Sequence, residues 1–315
     1  MQGSRPPSVQ FNVRWNSCVA RCAFAVWFPL CSHAATQLTA AEIIHRSVEA
    51  NERDWKAGPS FSHVERDIDK HDNALVDRTW EVFLMDGSPY KRLIGIDGHP
   101  LSEARQKQEA DRESHELARR RAETPSERRV RIDRYRRDRE HDHILMTQME
   151  VAFNFRLTGE DTWSGHPVYV LDAEPKPDYV PPNHEAKVLT GMKGKLWVDK
   201  AGFHWARVEA EVVHTVTFAG FLARVGPGTR FILEKEPVNA EIWQPQRFQD
   251  QVVASILFWQ RNSSTADTFS DYRPNGAISS LPGPRRTFHV QLERQKIEQV
   301  LQRQNRHQPA VIDHQ

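Results

Sequence analysis

The densest group of potential ligands in this sequence is His141-Asp142-His143. Two imidazoles and a carboxylate are the donor set of a zinc site. On a helix, however, positions i and i+2 point about 200° apart, so the two rings cannot close on one ion without outside help. The group is expected to be solvated surface. No HExxH, GxSxG, GxxxxGK[ST] or GxGxxG pattern occurs, and no cysteine follows Cys31. Acidic pairs are frequent in a chain with 27% charged residues, so any choice of two as general acid and base is arbitrary. Nothing in these residues points to a nucleophile, a metal or a cofactor, and the expectation is a protein that is not an enzyme.

The aromatic residues carry more information. Phe153, Phe155, Trp163, Trp197, Trp205, Phe218, Phe221, Phe231, Trp243, Phe258 and Trp259 all fall on or beside predicted strands of the second half. A curved antiparallel sheet lined by such groups forms an apolar site. All of these except Trp163 are taken as candidate ligand-binding residues. The competing reading is that they are the core between sheet and helices.

Composition sets the limits. The 315 residues include nine Trp and fifteen Phe, enough to build a core. The 43 Lys and Arg against 42 Asp and Glu give no reason to expect nucleic acid as a partner. No set of long apolar runs suggests an integral membrane protein. Residues 1–34 read as a cleaved secretory signal peptide: Arg14 and Arg21 precede the apolar run Cys22–Cys31, and Ser32-His33-Ala34 supplies small residues for cleavage. Cleavage there removes all three cysteines, and export implies a periplasmic protein.

The elements that must position these residues follow. Thr39-Ala40-Ala41-Glu42 is a capping box opening a helix with Ile43, Ile44, Val48 and Trp55 on one stripe, ended by Gly58-Pro59. Residues 60–97 change to period two, with turns at Asp86-Gly87 and Asp97-Gly98, and predict an antiparallel meander. Between Glu103 and Asp142 stand 13 Lys/Arg and 11 Asp/Glu with no glycine, which predicts a charged insertion of two helices, about 101–122 and 125–149. Thr124-Pro125-Ser126-Glu127 caps the second. Later strands are predicted at 151–159, 166–173, 187–199, 203–217, 219–235, 241–249 and 251–260. Residues 274–315 are expected to be a loosely packed tail with a polar helix at 287–304.

Six stretches resemble the outer-membrane lipoprotein-sorting proteins of the LolA/LolB-like superfamily. They are Ala50-Asn51-Glu52-Arg53-Asp54-Trp55, Asp86 to Leu93, Gly165-His166-Pro167-Val168-Tyr169-Val170-Leu171-Asp172, Gly194 to Lys200, Val208-Glu209-Ala210 and Phe269-Ser270-Asp271-Tyr272-Arg273. The resemblance covers about 38–273. It implies an α+β fold: a curved antiparallel β-sheet, an incomplete barrel, with a helical lid, here carrying the long insertion at 101–150. It implies a periplasmic carrier or chaperone for lipid or lipoprotein acyl chains, with inner- or outer-membrane proteins as further partners. The alternative is a protein-interaction or envelope-stress sensor module on the same fold, with the charged helices as docking arm.

Overall fold

Thirteen strands form one antiparallel sheet, in a computed structural model that describes residues 38–71, 74–218, 223–256 and 259–275. The strands are β1 (Phe61–His71), β2 (Ala74–Met85), β3 (Ser88–Ile96), β4 (His99–Pro100), β5 (Phe153–Trp163), β6 (His166–Pro175) and β7 (Met192–Asp199). They continue as β8 (Trp205–Val212), β9 (Val216–Phe218), β10 (Ala223–Val225), β11 (Arg230–Pro237), β12 (Trp243–Ile256) and β13 (Trp259–Pro274). The order across the sheet is β4-β3-β2-β1-β13-β12-β11-β8-β7-β6-β5, with β10 on β12 and β9 on β10. The sheet is curved and does not close, which is the expected α+β incomplete barrel.

Hairpins follow turn chemistry. Asp86-Gly87, Asp97-Gly98 and Ser164-Gly165 each place two consecutive residues at positive φ, the geometry that matches the twist of the flanking strands. The unexpected connection is β1 to β13, which joins the amino-terminal meander to the rest.

Helix α1 (Ala40–Ala57) begins at Thr39, whose side chain accepts from the Glu42 amide at 3.2 Å. Glu42 does not complete the expected reciprocal bond; its carboxylate takes Arg46 at 2.7 Å. Ile43, Ile44, Ser47, Ala50, Asn51 and Asp54 make the buried stripe. Ile43 and Ile44 pack on Leu171, Leu196, Val198, Trp205 and Val208. Each buried isoleucine contributes about 1.5–3 kcal/mol.

The insertion forms α2 (Glu103–Arg121), α3 (Pro125–Thr147) and a short α4 (Met149–Ala152). The α2 helix docks without an apolar stripe. Buried Arg120 donates to the Met85, Ser88 and Pro89 carbonyls and pairs with Glu116 at 2.6 Å. Arg112 lies over the Tyr90 ring at 5.0 Å.

Several expectations need correction; the strand predicted at 203–217 is split into β8 and β9, and the one at 219–235 contains two strands, β10 and β11. His143 is buried, not solvated: it stacks on Trp55 at 4.1 Å and bonds Glu52. The segment at 187–191 is part of a 3-10 turn (Ala186–Gly191) and not the start of a strand. The strands predicted at 241–249 and 251–260 are one strand, β12, followed by β13, whose polar composition hides its period. The predicted leader at 1–34 and the helix at 287–304 lie outside the described residues.

Candidate functional site

Cross-strand partners in an antiparallel sheet point to the same face. Leu171, Leu196, Val208, Leu233, Phe248, Asp267 and Asp67 are successive partners across β6, β7, β8, β11, β12, β13 and β1. Next to them run Ala173, Gly194, Ala210, Phe231, Asp250, Thr265 and Asp69. Because Leu171, Leu196 and Val208 meet α1, both rows belong to the inner face that the helix covers. One face is therefore apolar at the β6–β8 end and acidic at the β12–β1 end.

At the apolar end, small residues leave space. Ala173, Gly194 and Ala210 lie side by side beneath Met149, Phe153, Leu189, Met192 and Phe231. A Cβ on Gly194 would come within 2.6 Å of the Glu209 carbonyl. The crevice above them holds only about 20 Å³ and presents apolar surface alone. That is room for about one water. The α4 helix and the 3-10 turn Ala186–Gly191 close it, with Ala152, Ala186 and Leu189 in one buried cluster with Phe153, Met192 and Val212.

Where α1 crosses the sheet, its buried polar residues clasp the inner face. The Asp54 carboxylate accepts from Lys235 Nζ at 2.7 Å, bonds His204 Nδ1 at 3.1 Å and accepts the Trp243 amide at 2.8 Å. Lys235 also donates to Asn51 at 2.8 Å, and the Trp205 indole donates to Ser47 at 3.1 Å. Burial raises the Asp54 pKa, but the bond from His204 and the Lys235 charge outweigh it and hold the carboxyl below its ordinary range. Burial pulls the Lys235 amine below its ordinary range against the pull of Asp54. The members of the cluster satisfy one another.

At the acidic end, Asp267 is 0% exposed, Glu65 2% and Asp67 6%. Lys91 pairs with Glu65, and the Trp80 indole donates to Asp67 Oδ2 at 3.0 Å. Neither oxygen of Asp267 has a hydrogen-bond partner among the described residues. Burial, with Asp67, Glu65, Asp69 and Asp250 nearby, pushes the Asp267 carboxyl up to about 9. Burial also pushes Glu65 up, with Lys91 opposing. Asp250 and Asp69 are half-buried; Thr265 donates its amide to Asp250 at 2.9 Å and its hydroxyl to Asp69 at 3.3 Å. Among the described residues no three His, Cys, Asp or Glu side chains are arranged to hold a metal ion.

The aromatic candidates divide between these regions. Trp205 and Phe153 are buried core, and Phe155 and Phe231 are half-buried against the same clusters. Phe153 and Phe231 line the crevice. Trp243 is buried with Val168 and Ala206, and half-buried Trp163 and Trp197 pack on them with Arg207 over both rings. Trp197 alternates with inner-face Leu196 and Val198, so it belongs to the opposite face. Phe218 is half-buried on β9. Phe221 and Phe258 lie outside the described residues, as does the Trp259 side chain. Aromatic content did not single out Ala173, Gly194 and Ala210 or the acids; the alternation of β8 is a signal for the small residues, and the cross-strand register with β12 and β1 locates the acids.

On the opposite face, Lys193, Lys195, Glu209, Glu211 and Arg230 border a depression of about 580 Å³. Its charges pair locally, Lys193 with Glu211 at 3.0 Å and Lys195 with Asp172 at 3.4 Å. No helix of the described residues is long and apolar enough to cross a membrane.

No family model matches the sequence, and no curated protein is similar to it. Among solved structures the chain is similar to a domain assigned as an outer membrane lipoprotein-sorting protein from Vibrio parahaemolyticus (11% identity, 75% of this chain, 95% of that one, TM-score 0.30). A LolA superfamily protein from Nitrosomonas europaea is similar at 11% identity (78% of this chain, 96% of that one, TM-score 0.30). The MucA/MucB complex of Pseudomonas aeruginosa matches at 11% identity (76% of this chain, 99% of that one, TM-score 0.22). At such identities and TM-scores the strand order and inner face of this chain carry the functional argument.

Proposed function

We propose that this protein binds a hydrophobic ligand, lipid or lipoprotein acyl chains, on the inner face of its half-barrel, and acts as an exported, periplasmic carrier or chaperone without covalent chemistry. The observation that carries this reading is the purely apolar crevice over Ala173, Gly194 and Ala210, which leads to half-buried Phe231, Leu233 and Phe248 beside it. An acyl chain laid along that row leaves water at about 0.8 kcal/mol per CH₂. The crevice of about 20 Å³ is a closed state, so loading requires α4 and the 3-10 turn to move off the sheet. The α1 clasp at Asp54 stays in place during that motion and serves as the fixed side.

The test is to produce the protein in a bacterial periplasm, purify it without detergent, and identify by native mass spectrometry and solvent extraction what it carries. Stoichiometric lipid or acylated peptide supports the reading. Ala210→Leu fills the crevice and is expected to abolish that cargo, at an overpacking cost of about 1–3 kcal/mol. A cargo-free wild type that also takes up no fluorescent fatty acid would sink it.

A second reading, an interaction module, has its own observation. The α2 and α3 helices are fastened to the β2–β3 hairpin by Arg120 and Arg131, and their other sides carry exposed charge. A partner captured through α2–α3 by a protein that carries no lipid would favour it.

A further inference from the structure

The inner face holds an acidic patch that nothing in the carrier reading uses. Five carboxylates, Glu65, Asp67, Asp69, Asp250 and Asp267, gather where β1, β12 and β13 meet. Among the described residues the basic groups facing them are few. Lys91 on β3 is committed to Glu65, and Arg78 on β2 stands across from Asp67 with an exposed side chain. Arg66 points to the opposite face, where it makes two bonds to Asp77. His63 shares the Lys91 neighbourhood and is half-buried, and burial with the Lys91 charge pushes its pKa down to about 4. Among the described residues neither oxygen of the fully buried Asp267 carboxyl is bonded, which is uncommon for a buried polar group. The patch adjoins the apolar rows directly: Phe231 is the cross-strand partner of Asp250, and Phe248 of Asp267.

We propose that the ligand of the inner face is a cationic amphiphile, its chain on the Phe231–Phe248 side and its ammonium or guanidinium group on Asp250, Asp69 and Asp267. This inference rests on the hydrophobic-ligand reading and narrows its ligand class. Half-buried Asp250 and Asp69 form the entry, and Thr265 holds both in place. Because no three acidic or histidine side chains among the described residues have metal-holding geometry, an organic cation suits the patch. A cation arriving at Asp267 favours the carboxylate over the carboxyl, so binding expels a proton.

The experiment is titration calorimetry of the full chain with dodecylammonium and with dodecanoate, below their micelle concentrations, at pH 7.5 in two buffers of different ionisation enthalpy. Dodecylammonium is expected to bind more than about tenfold tighter and to release protons. Asp267→Asn, which replaces a neutral carboxyl by a neutral amide and so should fold, is expected to remove the proton release. Asp250→Asn with Asp267→Asn is expected to bring the two ligands within about twofold while chain binding remains. Equal affinities in the wild type, tighter dodecanoate, or a cation preference that survives the double substitution overturns the inference and leaves the carrier reading standing. Binding of neither ligand overturns both.

Discussion

Asp67 and Asp267 face each other as direct cross-strand partners at the seam between β1 and β13. Like charges in that position repel. The pair persists because Asp267, fully buried, holds its proton with a pKa of about 9. In the unfolded chain an aspartate titrates near about 3.9. Between those values the native state binds more protons than the unfolded state, so stability falls as pH rises. Below about pH 6.5 the titration of His63 offsets this contribution; from there to pH 8 wild type is expected to lose stability, by on the order of 1 kcal/mol per pH unit. Asp267→Asn should flatten that slope. Urea titrations across the range check it; parallel slopes would refute it.

His63 acts with the opposite sign. Burial and the Lys91 charge push its pKa down to about 4. The unfolded histidine takes its proton near about 6.5, so stability is lost as pH falls from there to 4. His63→Phe retains the stacking on Tyr272, which stands at 5.3 Å, and removes the titration. It should flatten the acid limb and leave the limb above pH 7 unchanged. Thermal melts at pH 4.5, 5.5, 6.5 and 7.5 would show this.

Asp54 is the anion against which Lys235 is buried. Removing one member of such a pair strands the other and costs about 3–5 kcal/mol. Asp54→Asn should destabilise by about that amount. Asp54→Asn with Lys235→Met should recover part of it, because the stranded charge is gone. If the double variant is less stable than the sum of the singles, the clasp is not organised around this pair.

Arg120 holds α2 to the hairpin through three carbonyls. Arg120→Ala leaves them without that donor, at about 1–3 kcal/mol. Hydrogen exchange should accelerate in Glu103–Arg121 and Ser88–Ile96 and remain unchanged in β5–β8. Acceleration throughout the sheet would show that α2 supports more than the hairpin.

Local chemistry made much of the fold legible. The Thr39 cap, the helix end at Gly58-Pro59 and the turns at Asp86-Gly87 and Asp97-Gly98 need only neighbours in sequence, and the structure places them as expected. What stayed hidden depends on distant partners. Ser47, Asn51 and Asp54 lie outside the apolar stripe expected for α1, yet they are buried because Trp205, Lys235 and His204 arrive from 150 or more residues away. His143 was obscured in the same way, since Glu52 and Trp55 belong to another helix. In β13 the inner-face positions are Thr265 and Asp267, so no apolar alternation marks that strand. The aromatic reading identified two residues of the crevice, Phe153 and Phe231, and passed over the Ala173–Gly194–Ala210 floor because small residues do not mark an apolar site in sequence.

The β1–β13 seam also sets the order in which the chain can fold. Ser62 and Arg273 meet across 211 residues, whereas the β1–β3 and β5–β8 hairpins need only nearby sequence. Contacts of such separation form slowly, because a long loop must close before they yield stabilisation. A nascent or truncated chain that stops before residue 259 presents two unpaired edges, β1 and β12, each a template for another molecule. Completion of the seam by β13 covers both of those edges.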